Sequence, residues 1–283
     1  MTDLKGKKVL ITGGSRGIGR AIAEEFLKHG ASVWLGARAA DQLEATAYDL
    51  SSLGEVKSSV LDVANEESVK KCLADIKNSW GGLDVLINGA AVSGPIGRVD
   101  ETDPEEWLSA LKVNLYGTYL MVRSAVPLMK SGGVIVNFVG GGDSTYPSFS
   151  SYVSAKGGVA RFTETISVEL KDQGIAVNAI APGAVNTKFL EDLLAAGPEK
   201  AGQANYDRAL KQKESGGISP EKAAQLCVWL ASENAKGLSG KILSAVWDEY
   251  DKFKERMPDI MGTDVYTFRR VRPKDRGFGW EKD

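Results

Sequence analysis

Lys8-Val9-Leu10-Ile11-Thr12-Gly13-Gly14-Ser15-Arg16-Gly17-Ile18-Gly19 decides the fold. A short apolar, β-branched run passes into a glycine-rich turn, and Ile18, Ala21, Ile22, Glu25 and Phe26 follow at helical spacing. Strand, glycine turn and helix make the opening unit. Its glycines let the backbone approach a diphosphate lying on the N-terminus of the helix, so phosphate binding is the direct inference. Gly13, Gly17 and Gly19 are separated by three residues and then one, which is not the generic Gly-x-Gly-x-x-Gly spacing. The candidate cofactor contacts here are Gly13, Ser15, Arg16, Gly17, Ile18 and Gly19.

The unit repeats downstream. Ser32-Val33-Trp34-Leu35, Val56 to Leu61, Asp84-Val85-Leu86-Ile87, Val134 to Phe138, Ile175 to Ile180 and Lys241 to Ser244 read as strands. Between them, helical patterns run through Leu43 and Leu50, through Val69, Leu73 and Ile76, from about Pro104 to Met129, from about Tyr152 to Leu170, and from Pro220 to Leu230. Strands this uniformly apolar are buried on both faces, and parallel strands need crossover helices. The expected fold is α/β: a Rossmann-type, doubly wound parallel sheet of about seven strands flanked by helices, as one domain over residues 1–247. Residues 188–219, between a strand and the last helix, are expected to form a substrate lid. Residues 248–283 form a C-terminal extension, aromatic and charged, that is expected to wrap a neighbouring subunit.

Composition narrows the function. The 283 residues are 43% hydrophobic and 25% charged, and 35 basic against 37 acidic residues leave a net charge of −2. That balance argues against nucleic acid or anionic lipid as partner and favours small-molecule chemistry. No apolar run spans a membrane, and the start Met1-Thr2-Asp3-Leu4-Lys5 lacks a secretory stretch, so a cytoplasmic protein is expected. Cys72 and Cys227 stand alone as packing residues, and the single histidine, His29, supports neither a metal site nor a triad. The basic cluster Arg269 to Arg276 would meet substrate phosphates or acids of a neighbouring subunit.

After the second strand the chain reads Gly36-Ala37-Arg38, without the acid that grips the ribose hydroxyls of NAD. Arg38 and Arg16 instead offer guanidinium groups to a 2′-phosphate, so NADP (NADPH) is expected over NAD. Tyr152-Val153-Ser154-Ala155-Lys156 opens a helix, and the four-residue spacing puts phenol and ammonium on one face. A Tyr and a Lys so spaced are usually a surface coincidence; their place after the fifth strand, downstream of the glycine turn, reverses those odds. An adjacent cation favours phenolate and would lower the pKa of Tyr152 toward its working range.

These residues resemble the short-chain dehydrogenase/reductase family, in its compact branch with Thr-Gly-x-x-x-Gly-x-Gly and Tyr-x-x-x-Lys. The likeness covers about Leu4 to Ser244 and rests on Thr12 to Gly19, Asp62-Val63, Asn88, Asn114, Tyr152 with Lys156, and Pro182 to Thr187. The resemblance implies that Asp62 and Val63 meet adenine, Asn88 supports the cofactor crevice, and Thr187 holds the nicotinamide carboxamide. It implies that Lys156 bonds the nicotinamide ribose, that Asn114 organises a water linking Lys156 to solvent, and that Tyr152 is the acid or base. Asn114, Tyr152 and Lys156 are thus the catalytic candidates. It also implies a homodimer or homotetramer through the helices holding Asn114 to Met129 and Tyr152 to Leu170. Two departures stand out. The family's Asn-Asn-Ala-Gly is Asn88-Gly89-Ala90-Ala91 here, and its serine after the fifth strand falls on Val139 or Gly140. Ser144, Thr145 or backbone N–H groups of Gly140-Gly141-Gly142 are the candidate replacements. The expected activity is hydride transfer between nicotinamide and a carbonyl or alcohol carbon of a polar small molecule, such as a sugar derivative. The alternatives are an NADP(H)-binding sensor or scaffold, and a redox-neutral epimerase or dehydratase that retains its cofactor.

Overall fold

The computed structural model describes residues 3–140 and 145–280. In chain order the elements are β1 (Lys8–Thr12), α1 (Gly17–Lys28), β2 (Ser32–Ala37), α2 (Ala40–Leu50), β3 (Val56–Val60), α3 (Glu66–Trp80), β4 (Leu83–Asn88), α4 (Pro104–Leu111) and α5 (Gly117–Ala125). There follow β5 (Met129–Phe138), α6 (Ser150–Glu169), β6 (Ala176–Ala181), α7 (Lys188–Ala201), α8 (Gln203–Ser215), α9 (Glu221–Leu230), β7 (Ile242–Ser244) and α10 (Phe253–Gly262). Among the described residues seven parallel strands form one sheet in the order β3-β2-β1-β4-β5-β6-β7. The order reverses direction between β1 and β4, and a crevice opens there at the strands' carboxyl ends.

Alternation along the strands builds the two layers. Val9 and Ile11 of β1 face a core with Ile22 and Phe26 of α1, Leu43 of α2 and Leu226 of α9. Leu10 points to the other side, onto Val69 and Ile76 of α3, Leu120 of α5 and Ile166 of α6. Local signals set the helix starts: Asn65 accepts the Ser68 N–H at 2.9 Å ahead of α3, and Asp103 accepts that of Glu105 at 2.7 Å ahead of α4, with Pro104 at its first position. No helix among the described residues is long and apolar enough to cross a membrane.

Two expectations need correction, and the extension makes contacts with its own chain. The helix expected from Pro104 to Met129 is two helices separated by a π-turn, Lys112–Tyr116. The wide turn swings Asn114 into the interior, where it is fully buried. β5 begins at Met129, not Val134, because the surplus residues around Gly132 (φ +87°) are taken up by a register shift against β4 between Leu83 and Val85. The extension, finally, closes its own chain as far as Phe268. Phe253 and Ile260 are buried in the core, the Ile242 N–H donates to the Tyr266 carbonyl at 2.8 Å, and the Lys241 ammonium bonds the carbonyls of Thr263 and Val265. The tail thereby covers the edge strand β7, whose open N–H groups need a partner. The basic cluster is partly answered within the tail itself, since Arg269 pairs with Asp264 and Asp275.

Candidate active site

The crevice between β1 and β4 is shaped by glycines. A Cβ on Gly13 (φ +71°) would lie 3.0 Å from the backbone of Gly89 and Ala90, and one on Gly19 would lie 2.2 Å from the Gly13 carbonyl oxygen. Only glycine lets α1 start so close under the turn. Gly89, where the sequence departs from the family pattern, would meet the Thr12 carbonyl oxygen at 2.8 Å with any side chain. Arg16 precedes α1 without a side-chain cap, and the first turn carries no acid. Unlike α3 and α4, this helix leaves its first N–H groups and the positive end of its dipole to an anion. The residues therefore fit a dinucleotide diphosphate.

The flanking candidates gather at the same end of the sheet. Ser15 bonds Gln42 at 3.2 Å and its carbonyl accepts from Thr46, so it fastens the turn to α2. Ile18 packs against the α1 core. Arg38 directly follows β2; it and Arg16 are exposed, and neither forms an ion pair among the described residues, whereas Arg20 is paired with Asp49. Asp62 uses one oxygen on the Ala64 N–H at 2.9 Å, and Val63 packs against Gly117. Thr187, at the start of α7, reaches over the turn: a Cβ on Gly17 would lie 3.5 Å from its methyl group. Asn88 donates to Asn137 at 2.9 Å, and Asn137 donates to Thr163 of α6 at 2.9 Å. The Asn88 Oδ1 atom is buried without a protein partner, beside a recess lined by Thr12, Val63, Ala90 and Thr118.

This amide chain holds α6 on the sheet, and α6 carries Tyr152 and Lys156. The Lys156 Nζ lies 5.7 Å from the centre of the Tyr152 ring, on the same side of the helix, and donates to the Phe138 carbonyl at 2.8 Å. The expected lowering of the Tyr152 pKa is not found. Burial pushes the phenol up to about 12, and burial pushes Lys156 down to about 8. The reason is that the ammonium is spent on a carbonyl at the end of β5, while Phe189 of α7 covers the phenol with its ring 4.9 Å away. At neutral pH the pair is a neutral phenol beside a cation. Asn114 does not touch this pair: its amide grips Val92 twice, accepting the N–H at 2.9 Å and donating to the carbonyl at 2.8 Å, which pins the segment after β4.

A stability prediction follows from Lys156. Its folded pKa lies below the ordinary 10.5, so the buried cation opposes folding below about pH 8, and this penalty fades as pH rises from about 8 toward 10.5. Lys156→Met is expected to raise the unfolding free energy of the cofactor-free protein at pH 7 by ~1–3 kcal/mol, less whatever the Phe138 hydrogen bond contributes. Urea denaturation checks it; a variant less stable than wild type at pH 7 would show that the ammonium carries no desolvation penalty.

Of the two positions expected for the family's serine, Gly140 is the one beside the phenol: a Cβ there would lie 3.9 Å from the Tyr152 hydroxyl and 3.4 and 3.9 Å from the Pro182 ring. Val139 points away and is buried with Val159, Ala160 and Ala179. Of the expected substitutes, Ser144, Gly141 and Gly142 lie outside the described residues, and Thr145 is exposed. Tyr146, Phe149 and Phe189 gather beside Tyr152. Phe189 is the residue missed from sequence; its only signal was an aromatic two places after Thr187 in the lid.

A family model described as enoyl-(acyl carrier protein) reductase matches residues 13–245. The chain is 39% identical over 259 residues to the short chain dehydrogenase mpl6 of Monascus purpureus, covering 86% of this chain and 82% of that protein. It is 34% identical over 247 residues to 3beta-hydroxysteroid dehydrogenase 1 of Eggerthella lenta, covering 85% and 92%. The crystal structure of levodione reductase superposes with a TM-score of 0.78 at 27% identity, over 85% of this chain and 96% of that one. Matches of this extent and the crevice they enclose lead to one conclusion: the chain belongs to the short-chain dehydrogenase/reductase family, whose members are oxidoreductases.

Proposed function

We propose that the protein is an NADPH-dependent reductase of a carbonyl carbon, with Tyr152 as the proton donor and the reverse alcohol oxidation available at high pH. The observation that carries this reading is the neutral phenol of Tyr152 beside the buried Lys156 cation, at the crevice end where the uncapped α1 meets the glycine turn. The α1 N-terminus would hold the diphosphate, Asp62 and Val63 the adenine, and Lys156 and Thr187 the nicotinamide half, where the bound dinucleotide supplies a hydride. Tyr152 gives its hydroxyl proton to the substrate oxygen as that oxygen gains charge. Lys156 keeps a positive charge close to the resulting phenolate, and a water held near Asn114 restores the proton. The lid over residues 188–219 keeps bulk water from the reacting oxygen. A NADPH oxidation assay over a panel of aldehydes and ketones tests the reading; binding of NADPH with no turnover of any member favours the sensor, which the missing hydroxyl at Gly140 keeps in view. The exposed Tyr116 at the end of the π-turn, Tyr119 on α5 and Val168 on α6 support assembly as a homodimer or homotetramer.

The NADP preference rests on Arg16 in the turn and Arg38 after β2, both exposed and without an ion pair among the described residues. A charge-assisted bond to phosphate is worth about 1.5–3 kcal/mol, so Arg38→Asp is expected to lower the ratio of NADPH to NADH affinity by roughly 10–100-fold. Fluorescence titration with both nucleotides reads the ratio. An unchanged ratio in Arg38→Asp would remove Arg38 from the cofactor site.

A further inference from the structure

We infer that the substrate carries its carbonyl on a flat apolar ring, and that Phe189 selects it by offering a ring face beside Tyr152; this rests on the reductase reading above. Phe189 meets the Tyr152 ring at 4.9 Å, and Tyr146 and Phe149 stack behind it. Tyr146 and Phe149 stack at 4.5 Å with planes 10° apart, Phe189 lies 5.2 Å from Phe149 and 6.3 Å from Tyr146, and its plane is within 29° of both. Phe149 is fully buried and backs the group, while Tyr146 and Phe189 are half-buried at the rim. The stacked rings hold Phe189 in one orientation beside Tyr152, and a fixed aromatic face packs best against another plane rather than a globular or extended group. The partly buried neighbours Ile96 and Leu194 continue that face in apolar character. A sugar would need several convergent donors and acceptors, and of these three rings only Tyr146 carries one.

Phe189 is also held in place. It sits in the first turn of α7, where Asp192 accepts from Ser93 of the segment after β4 at 2.9 Å and pairs with Lys188 at 2.6 Å. That latch fixes the lid end carrying the ring, so the ring is positioned before substrate arrives. A carbonyl oxygen presented to the Tyr152 hydroxyl therefore brings the attached group against the Phe189 face.

The test uses three aldehydes with the full chain and saturating NADPH: 2-naphthaldehyde (flat, apolar), cyclohexanecarbaldehyde (apolar, not flat) and glyceraldehyde (polar). Wild type is expected to show a KM for 2-naphthaldehyde at least about tenfold below the other two. Phe189→Ala is expected to raise the naphthaldehyde KM about tenfold with kcat changed much less. Phe189→Leu, which keeps apolar bulk without a ring face, does the same, and Phe189→Tyr restores the wild-type value. Glyceraldehyde reduced with equal or lower KM, or a naphthaldehyde KM unmoved in both Phe189→Ala and Phe189→Leu, overturns the ring selection and leaves the reductase reading standing. NADPH binding with no aldehyde reduced overturns both.

Discussion

Tyr152→Phe is expected to lower kcat for carbonyl reduction by roughly 10²–10⁴-fold, the range that a positioned general acid supplies. The change removes one oxygen and keeps the ring that packs against Phe189, so the fold and the lid contact persist. The phenol, pushed up to about 12 by burial, is fully protonated across the neutral range and lies beside Lys156. Steady-state kinetics with the best carbonyl of a panel, together with NADPH titration, separates chemistry from binding. A loss of NADPH affinity without a loss of kcat would assign Tyr152 to the cofactor and not to the proton.

Gly140→Ser carries the second large effect, in the opposite direction. A positioned donor to a developing oxyanion is worth about 10²–10³ in rate, and neither Val139 nor Gly140 carries a hydroxyl to act as one. The new Cβ would stand 3.9 Å from the Tyr152 hydroxyl, and its nearest contact among the described residues is the Pro182 ring at 3.4 Å, an ordinary van der Waals distance. The serine Oγ then reaches toward the same reacting oxygen as the phenol, and kcat is expected to rise by up to roughly 10²-fold. Val139→Ser is the control: that side chain is buried with Val159 and Ala160, so no gain is expected, only a loss of stability of about 1–2 kcal/mol from a hydroxyl in an apolar site. A fall in kcat for Gly140→Ser would mean that another donor already occupies that place.

Much of this molecule is legible in its sequence because short-range patterns carry it. β-branched runs such as Val9-Leu10-Ile11 bury both faces, Pro104 opens a helix, and Gly13 to Gly19 can only be a close backbone approach. What stayed hidden depends on contacts between distant residues. The π-turn exists because Asn114 meets Val92, the tail folds home because Lys241 and Ile242 find carbonyls at Thr263, Val265 and Tyr266, and Phe189 meets Tyr152 only after the lid has folded. The direction of the Tyr152 shift is of the same kind. Spacing brings a cation near, but the balance is set by what else covers the ring and where the ammonium spends its hydrogen bonds.

The central claim is that Tyr152 protonates a carbonyl oxygen while hydride reaches its carbon. NADPH carrying deuterium on one or the other face of nicotinamide C4, incubated with wild-type protein and the preferred carbonyl, tests it most directly. The account predicts an alcohol with deuterium on the carbinol carbon from one face only, formed by wild type and at a greatly reduced rate by Tyr152→Phe. Product without deuterium, or equal labelling rates in both proteins, would contradict it.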